Sequence, residues 1–387
     1  MITLITSIGT SLISKFNETK RKYVDLIDDM KDRTYDEKYI DNNKYQIDKL
    51  KSDLISLLQE DKSSSAEVIS TLKLYEKLKT RINIIPIVTD TLLSNICSDV
   101  ISEVLPSYQD FQVSDKILVK GLQVYDNKKF LKEGMPNLIN KLEYYSSLRN
   151  VYLNFTGGYK GVIPYLTLWA QVNNIKMIYL YEESNELIEI PQAPIDISWS
   201  IFHKYYHIIQ HLKNGIEISK EEFLRKNNLL YSDFPDIIDE ISDGEFHYLS
   251  LNSIGLIFLN KFERYNVFFI PVTSQYFSEE QNNKSILNKA ISTLINRLNS
   301  LDIDFNLFAD KYFKHTHLKD NTWIYKYHNN DTQIRIHYKY ENMKLTVYNY
   351  KFIRSRYDDN NYSTSLAKEY EILKNSELIS IPLQKEI

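Results

Sequence analysis

The chain has 387 residues, of which 43% are hydrophobic and 25% charged, and its formal net charge is −4. This composition is typical of a globular protein of two or three domains and excludes a disordered chain. The net charge argues against a protein that binds nucleic acid over its whole surface, so any basic surface must be local. The single cysteine, Cys97, excludes an intramolecular disulfide and a cysteine-based zinc cluster.

No apolar run approaches the roughly 20 residues of a membrane-spanning helix. The N-terminus lacks a basic segment followed by a long apolar one, so no secretory signal is expected. These features predict a cytoplasmic protein without a membrane partner.

The chain opens with Met1–Ser7 (MITLITS), which predicts a strand. A turn of small residues follows at Ile8–Ser11, and a helical pattern begins at Leu12. A second unit of this kind starts at Val151–Phe155, a short apolar run that predicts a buried strand. In a doubly wound sheet, the first turn after a strand and a later one face each other where ligands bind.

The second turn has the composition of an anion site. Thr156, Gly157 and Gly158 end the strand, Lys160 follows, and Val162–Val172 predicts a helix. Glycines let backbone N–H groups approach a ligand, and a helix N-terminus and a lysine supply positive charge. The alternative is an ordinary turn with a solvated lysine.

Between and after these turns, strands alternate with helices, which predicts a parallel sheet with crossover helices and therefore an α/β fold. The segment closes near Asp196, beside prolines at Pro191 and Pro194. Helical patterns cover most of Asn17–Glu60, Ala66–Thr80, Leu92–Leu105 and Asn127–Leu148, and strand patterns cover Arg81–Val88, Lys116–Tyr125, Lys176–Glu182 and Glu186–Ile190.

The two turns, Ser7–Ser11 (SIGTS) and Asn154–Lys160 (NFTGGYK), resemble those of the CARF domains of CRISPR-associated effectors. The resemblance covers about the first half of the chain. It implies that residues 1–196 form a Rossmann-like domain that dimerises and binds cyclic oligoadenylate at the shared interface. It also implies ligand contacts at Gly9, Thr10, Ser11, Thr156, Gly157, Gly158 and Lys160.

The expected allosteric activator is cyclic tetra-adenylate, the commonest ligand of that family. Whether this domain would also degrade its ligand as a ring nuclease stays open. Thr10, Ser11 and Lys160 are the candidates for that activity.

Residues 197–280 resemble the small winged-helix linkers that follow some CARF domains. Ser198–Leu212 predicts a helix with three histidines on one face, which indicates a packed or interface face and no metal site. Helices are predicted at Ser219–Lys226 and Asp233–Ile241, and a strand or helix at residues 246–260. The segment is acidic, so DNA binding is not expected, and we interpret it as a spacer or dimer element.

Residues 281–387 predict a helix at Asn282–Leu301 and three antiparallel strands at Trp323–Tyr327, Gln333–Tyr340 and Lys344–Tyr350. A polar loop with Tyr357 and Tyr362 and a last helix from Ser365 complete the prediction. Basic residues alternate here with aromatic ones, as in surfaces that contact RNA phosphates and stacked bases. The alternative is a solvated basic face with nothing bound.

This C-terminal segment resembles the RelE family of ribosome-dependent mRNA interferases in the order of its elements and basic residues. The resemblance implies an α+β domain and a metal-independent endoribonuclease that needs no cofactor and has the ribosome and mRNA as partners. Its candidate catalytic residues are Lys326, His328, Arg335, Arg354, Arg356, Tyr357 and Tyr362. Arg356 and Tyr357 are alternates to Arg354 and Tyr362, and His328 departs from the lysine that is common in the family.

Such an enzyme would cleave RNA by attack of the 2′-hydroxyl on the adjacent phosphorus. Arg335 and Arg354 would stabilise the transition state. Tyr362 would act as a base or stack on a nucleobase, and Lys326 or His328 would handle the other proton. Which group is acid and which is base stays open.

Other effectors fit less well. HEPN nucleases carry an arginine four to six residues before a histidine, and the nearby pair here is Arg335 and His337. Metal-dependent nucleases need acidic residues on the strands, whereas Asp331 and Glu341 fall at turns. A transcriptional regulator without nuclease activity that responds to cyclic oligoadenylate is the alternative function, and an inactive RNA-binding sheet is a third.

Overall fold

A computed structural model of the protein describes residues 1–31, 33–109, 111–122, 126–181, 186–229, 236–243, 246–300, 315–329 and 332–383. The chain divides into two compact units. The first comprises Met1–Asp196 with Leu251–Ile257, and the second comprises Ile197–Ser250 with Phe258–Ile387.

The first unit is built on a seven-stranded sheet whose strands alternate with helices. Its strands are β1 (Ile2–Ser7), β2 (Ile82–Thr89), β3 (Phe111–Val113), β4 (Ile117–Val119), β5 (Val151–Asn154), β6 (Lys176–Tyr181) and β7 (Glu186–Ile190). Its helices are α1 (Ser11–Lys20), α2 (Val24–Met30), α3 (Glu37–Asn42), α4 (Lys44–Glu60), α5 (Ala66–Leu78), α6 (Leu92–Tyr108), α7 (Asn127–Lys129), α8 (Met135–Leu142) and α9 (Ile163–Val172).

The strand order is β3-β2-β1-β5-β6-β7, and β4 also pairs with β2. All of these pairs are parallel except β6 with the edge strand β7. The α/β class predicted from the alternating elements is therefore confirmed. Because β1 has β2 on one side and β5 on the other, the chain reverses its winding direction at β1, and this edge is where ligands bind in such sheets.

The central strands are apolar on both faces, as parallel strands covered by helices must be. Every residue of β1 except Thr3 is buried, and in β2 every residue except Asn83 and Thr89 is buried. Pro86 lies inside β2 although proline cannot donate a ladder hydrogen bond. It is tolerated because β3 pairs with residues up to Ile84 and β4 pairs from Ile87, so Pro86 falls in the gap between them.

After Asp196 the chain forms α10 (Ser200–Leu212), β8 (Ile216–Glu217), α11 (Lys220–Lys226), β9 (Ile238–Asp243), β10 (Phe246–Leu251) and α12 (Ser253–Asn266). These elements belong to the second unit except for Leu251–Ile257, which belong to the first. The strands form a small sheet in the order β8-β10-β9. The predicted helix over Asp233–Ile241 is wrong over Ile238–Ile241, because these residues belong to β9. Its first three residues lie outside the described residues. The spacing of Ile238 and Ile241 by three residues is typical of a helix, and the strand pairing of β9 with β10 overrides it.

A six-stranded sheet completes this unit. Its elements are β11 (Val267–Pro271), α13 (Gln281–Ser300), β12 (His315–His317), β13 (Trp323–Asn329), β14 (Thr332–Glu341), β15 (Lys344–Ile353), α14 (Arg356–Leu373) and β16 (Leu378–Pro382). The order is β12-β13-β14-β15-β11-β16, with β11 parallel to β15 and the other pairs antiparallel. Because β11 is an inner strand, the predicted domain boundary at residue 281 falls inside this folded unit.

The two faces of this sheet carry different side chains. Ile334, Ile336 and Tyr338 are fully buried and form an apolar core with α13. Arg335 and His337 lie on the opposite face, where they contact α14. The sheet therefore places its polar central residues under the last helix.

The last helix begins nine residues earlier than the predicted start at Ser365, so the predicted polar loop is wrong. Ser355 caps the helix, because its hydroxyl accepts a hydrogen bond from the N–H of Asp358 at 3.2 Å. Asp358 and Asp359 in the first turn add charge that suits a helix N-terminus. Tyr362 is therefore a helical residue, and Tyr357 lies at the helix start with its side chain outside the described part of the chain.

Candidate functional site

The two glycine turns lie side by side at the carboxyl ends of β1 and β5. Thr6 is paired with Asn154 in the last register position of these strands. The turns then approach so closely that a Cβ atom added to Gly9 would lie 2.6 Å from the backbone nitrogen of Gly158. Thus the structure brings the two predicted ligand turns together, with no space for a ligand between these two glycines.

Asn154 organises the inner side of the second turn. Its Oδ1 accepts hydrogen bonds from the N–H and hydroxyl of Thr156 at 3.1 and 2.7 Å. Its Nδ2 donates to Thr6 Oγ1 and to Ser70 Oγ. The Thr156 hydroxyl also accepts from the N–H of Leu180. Thr156, predicted as a ligand contact, is therefore buried and its side chain is used within the fold.

Glu67 is a member of this site that no sequence motif indicated. It lies in the first turn of α5 and is only 1% exposed. Its carboxylate accepts hydrogen bonds from the Gly9 N–H at 2.8 Å, from Ser11 Oγ at 3.3 Å and from Ser65 Oγ at 2.7 Å. The Gly9 N–H, predicted to face the ligand, is thus occupied by the chain's own carboxylate.

The Glu67 carboxylate also explains why residue 157 is a glycine. A Cβ atom on Gly157 would lie 1.9 Å from Oε1 of Glu67. Gly158 has a φ of +90°, which favours glycine, and a Cβ atom added there would lie 2.9 Å from Cβ of Ser7. Both glycines are therefore required by the fold itself.

The outer side of the two turns keeps groups that suit an anion. Thr10, Ser11 and Lys160 are exposed. In the part of the chain that the structure describes, the N–H groups of Gly157, Gly158 and Tyr159 donate no hydrogen bond. Successive free N–H groups around a residue of positive φ form a concave anion site. These three N–H groups and the Lys160 ammonium are the donors that this turn leaves to an outside partner.

A second cluster lies on the polar face of the six-stranded sheet. Lys326 on β13 and Lys351 on β15 are the direct neighbours of Arg335 on β14, so three cations stand in a row across three strands. Tyr362 on α14 lies over this row, with its ring centre 5.2 Å from the Arg335 guanidinium and 5.8 Å from Lys326 Nζ. The structure thus brings together three of the predicted catalytic residues, Lys326, Arg335 and Tyr362.

The Arg335 guanidinium is largely enclosed, with its side chain 8% exposed. One of its nitrogens donates to Asp359 Oδ1 at 2.5 Å and to Gln333 Oε1 at 3.1 Å, while Nε is buried without a partner. The Lys351 ammonium lies 3.5 Å from Asp358. The first turn of α14 therefore neutralises this basic row with its own carboxylates.

The other predicted catalytic residues lie at the edge of this cluster. His328 is exposed at the end of β13 and pairs with Gln333 in the ladder. Arg354 is exposed, and its backbone N–H donates to Asp358. The Ser355 hydroxyl and this N–H lower the pKa of the Asp358 carboxyl. The side chain of Arg356 lies outside the described part of the chain.

His337 forms a buried polar centre that sequence reasoning left out of the site. Nδ1 lies 3.1 Å from Asn349 Oδ1, and Nε2 lies 2.8 Å from Thr322 Oγ1. The ring packs against Tyr370 of α14 at 4.9 Å. Burial lowers the pKa of His337 to about 4, so the imidazole is neutral at physiological pH. The two hydrogen bonds hold the imidazole on the sheet, and its packing on Tyr370 connects it to α14.

The histidines of α10 include one that packs on an aromatic ring. His203 packs on the Phe262 ring at 4.8 Å. Among the described residues, no group of three or more His, Cys, Asp or Glu side chains could hold a metal ion. None of the helices within the described ranges is both long and apolar enough to cross a membrane.

A comparison with protein families relates the first site to a known group. Residues 62–193 match the family described as CRISPR-associated protein (Cas_APE2256). The match covers about a third of the chain and includes Glu67 and the Asn154–Lys160 turn. It supports a CRISPR-associated protein. None of the curated proteins matches the chain.

We predict that Gly157→Ala destabilises the fold by about 1–3 kcal/mol, because the new methyl group overpacks the buried Glu67 carboxylate. Denaturant unfolding of the purified chain measures the effect. The double variant with Glu67→Asp, which has a shorter side chain, should recover part of the loss as a coupling energy above about 0.5 kcal/mol. Full additivity of the two changes would contradict the proposed contact.

We predict that His337 makes the free energy of unfolding depend on pH. Its pKa of about 4 in the folded chain lies below the ordinary 6.5, so the unfolded chain binds more protons between these values. The free energy of unfolding should therefore fall as the pH decreases through this range, by about 2–3 kcal/mol from this group between pH 7 and 4.5.

Urea denaturation at several pH values, compared between the wild type and His337→Gln, isolates this contribution. The variant should show a flatter pH dependence in this range. His211→Gln removes an exposed histidine and should behave as the wild type. Parallel curves for wild type and His337→Gln would refute the assignment.

Proposed function

We propose that this protein is a CRISPR-associated effector in which a cyclic oligoadenylate activates cleavage of ribosome-bound mRNA. The observation that carries the enzymatic part is the convergence of Lys326, Arg335 and Tyr362 on one face of the six-stranded sheet. The family match over residues 62–193 supports the CRISPR context. The resemblance to CARF and RelE-like domains supplies the ligand and the reaction.

The first unit would bind the activator at its two turns. A cyclic oligoadenylate carries a phosphodiester at every nucleotide, and each is a monoanion. The N–H groups of Gly157, Gly158 and Tyr159 would hold one such phosphate, with Lys160 supplying the opposite charge. The exposed hydroxyls of Thr10 and Ser11 would contact the adjoining sugar. Cyclic tetra-adenylate is the first ring to test, and the protein would act as a homodimer through this unit.

The second unit would cleave RNA by transesterification. A base takes the proton of a ribose 2′-hydroxyl, the oxygen attacks the adjacent phosphorus, and the bond to the 5′-oxygen breaks as that oxygen gains a proton. Arg335 and Lys326 would stabilise the negative charge that develops on the phosphoryl oxygens. Tyr362, which lies over both cations, would exchange a proton or stack on a base. No metal takes part in this scheme.

Arg335 is neutralised by Asp359 in this arrangement, so a phosphate and Asp359 would compete for the same guanidinium. We therefore include in the proposal that α14 covers the site until the effector is activated. The ribosome would supply the mRNA and the remaining catalytic groups, as the resemblance to RelE implies. Activation then requires that the bound ligand favours the uncovered form.

A regulator without nuclease activity is the second candidate. The observation that favours it is the order β8-β10-β9 of the small sheet, which is that of a winged helix. In that case the Arg335–Asp359 pair would be structural. The acidic side chains of this segment, such as Glu217, Glu221 and Glu222, speak against a DNA-binding surface.

The first experiment is translation of a reporter mRNA in a bacterial cell-free system with and without cyclic tetra-adenylate, with mapping of mRNA 5′ ends. We predict that Arg335→Ala lowers ligand-dependent cleavage by about 10²–10³-fold, because one charge-stabilising group is lost. Lys289→Ala removes an exposed cation of α13 and should leave cleavage unchanged.

Isothermal titration with cyclic tetra-adenylate should show that Arg335→Ala binds the ligand at least as tightly as the wild type. The ligand turns belong to the other unit, and loss of the Arg335–Asp359 pair favours the uncovered form that the ligand is proposed to prefer. Equal cleavage by both proteins would refute the assigned role of Arg335. Ligand binding without any mRNA cleavage by the wild type would favour the regulator.

We also predict that Asp359→Asn raises cleavage in the absence of ligand. A hydrogen bond to a charged group contributes about 1.5–3 kcal/mol, so the covered form should lose preference by a factor on the order of 10. Glu341→Gln removes a carboxylate that pairs with Lys339 at an exposed hairpin, and it serves as the matched control. Unchanged basal cleavage in a folded Asp359→Asn protein would show that α14 does not cover the site.

A further inference from the structure

The first turn of α14 places two consecutive carboxylates on two neighbouring strands. Asp359 accepts a hydrogen bond from the Arg335 guanidinium of β14, and the Asp358 carboxylate lies 3.5 Å from the Lys351 ammonium of β15. Arg335 and Lys351 are direct partners in the ladder, so the backbones that carry them lie about 5 Å apart. Each carboxylate therefore has a cation of its own.

The Asp358 carboxylate has two further donors around it. Its Oδ2 accepts hydrogen bonds from the Arg354 N–H at 3.2 Å and from the Ser355 hydroxyl at 3.0 Å. Both donors precede the helix, and Lys351 belongs to the strand. A phosphodiester is a monoanion with two oxygens that accept hydrogen bonds, as a carboxylate is, so the same three donors also suit a phosphate.

The cations next to this position also have capacity for an anion. The Arg335 guanidinium is largely enclosed, and its Nε is buried without a partner. None of the carboxylates that the structure describes forms an ion pair with Lys326, the neighbour of Arg335 on β13. The row of three cations is thus matched by two carboxylates from α14.

We propose that the position of the Asp358 carboxylate is a second phosphate site, next to the one proposed for the scissile phosphate. Lys351, the Arg354 N–H and the Ser355 hydroxyl bind the adjacent phosphodiester of the RNA there. This inference rests on the proposed RNA cleavage at Arg335 and deepens it to a substrate with two consecutive charged diesters at the site.

The two carboxylates of α14 then stand where two consecutive phosphates bind. The scissile phosphate replaces Asp359 at Arg335 and Lys326, and its neighbour replaces Asp358 at Lys351. The RNA backbone therefore crosses the sheet along the row of cations, between β13 and β15.

The experiment uses ribosomes programmed with synthetic mRNA, the full-length protein and saturating cyclic tetra-adenylate. Once the cleavage position is mapped, the diester on either side of the scissile one is replaced in turn by an uncharged methylphosphonate. The nucleotide before that linkage carries a 2′-O-methyl group for stability, and a reference mRNA carries the same group with an ordinary diester. The 2′-hydroxyl that attacks the scissile phosphorus stays intact.

The wild type should cleave one of the two uncharged analogues roughly 10-fold more slowly than its reference, the contribution of one hydrogen bond to a charged group. Lys351→Ala should slow cleavage of the reference by the same factor and should cleave that analogue as fast as the wild type does. Arg335→Ala, which acts on the scissile phosphate, should slow cleavage of reference and analogue alike. Lys344→Ala removes an exposed lysine of the same strand and should behave as the wild type.

The outcomes separate this inference from the proposed function. Equal cleavage of both analogues and their references by the wild type would overturn the second phosphate site and leave the enzyme standing. A Lys351→Ala protein that cleaves the reference as the wild type does, or loses the same factor on both mRNAs, would overturn it as well. Absence of cleavage of every mRNA by the wild type would refute the proposed function and this inference together. Should Lys351→Ala fail to fold by circular dichroism, Lys351→Gln, which removes the charge from a side chain of similar length, takes its place.

Discussion

The parallel pairing of β1 with β2 on one side and β5 on the other is the constraint on which the first unit depends. This pairing aligns Thr6 with Asn154 and brings both strands to an end at the same edge of the sheet. Two turns that are about 150 residues apart in the chain then meet there. A carboxylate from the helix before β2 completes the junction, so three separate segments of the chain define the outer donor surface.

Both candidate sites contain an internal carboxylate, but the two carboxylates act differently. Glu67 binds the inner donors of the turns and leaves the outer ones free, so it shapes the site without filling it. Asp359 binds the Arg335 guanidinium itself, which is the group that a substrate phosphate would need. A buried donor or cation without a partner costs free energy, and each carboxylate supplies that partner in the absence of a ligand. If a substrate phosphate binds Arg335 as proposed, it exchanges with Asp359, and the net free energy of binding is smaller than the direct contacts suggest.

The sequence was informative where chemistry is carried by neighbouring residues. The apolar runs, the two small-residue turns and the hairpins with alternating aromatic residues predicted the α/β sheet, the meeting of the turns and the row of Lys326 and Arg335. It failed where a side chain acts over a long distance. Glu67 occupies an ordinary first-turn position 58 residues from Gly9, and no local pattern shows that its partner is a backbone N–H of that turn.

The start of α14 was missed for a different reason. Asparagine and aspartate dominate residues 358–361, and these residues favour turns when considered by composition alone. Ser355 followed three residues later by Asp358 is a capping arrangement that outweighs this preference. In the sequence, His337 stands out only as part of an arginine–histidine pair. Its burial depends on α14, which covers this face of the sheet.

The contacts of α14 also fix the rotation of this helix about its own axis. Four residues of α14 contact the sheet: Asp359 contacts Arg335, Tyr362 contacts Lys326, Leu366 contacts Asn349 and Tyr370 contacts His337. The four helix residues are spaced by three, four and four positions, which places them on one side of the helix. Each additional residue rotates a helix by about 100°. A single insertion between Tyr362 and Leu366 would therefore turn Asp359 away from Arg335 while Tyr370 stays against His337. The length of this helical segment, and not only the identity of its acidic residues, thus determines whether the guanidinium is covered.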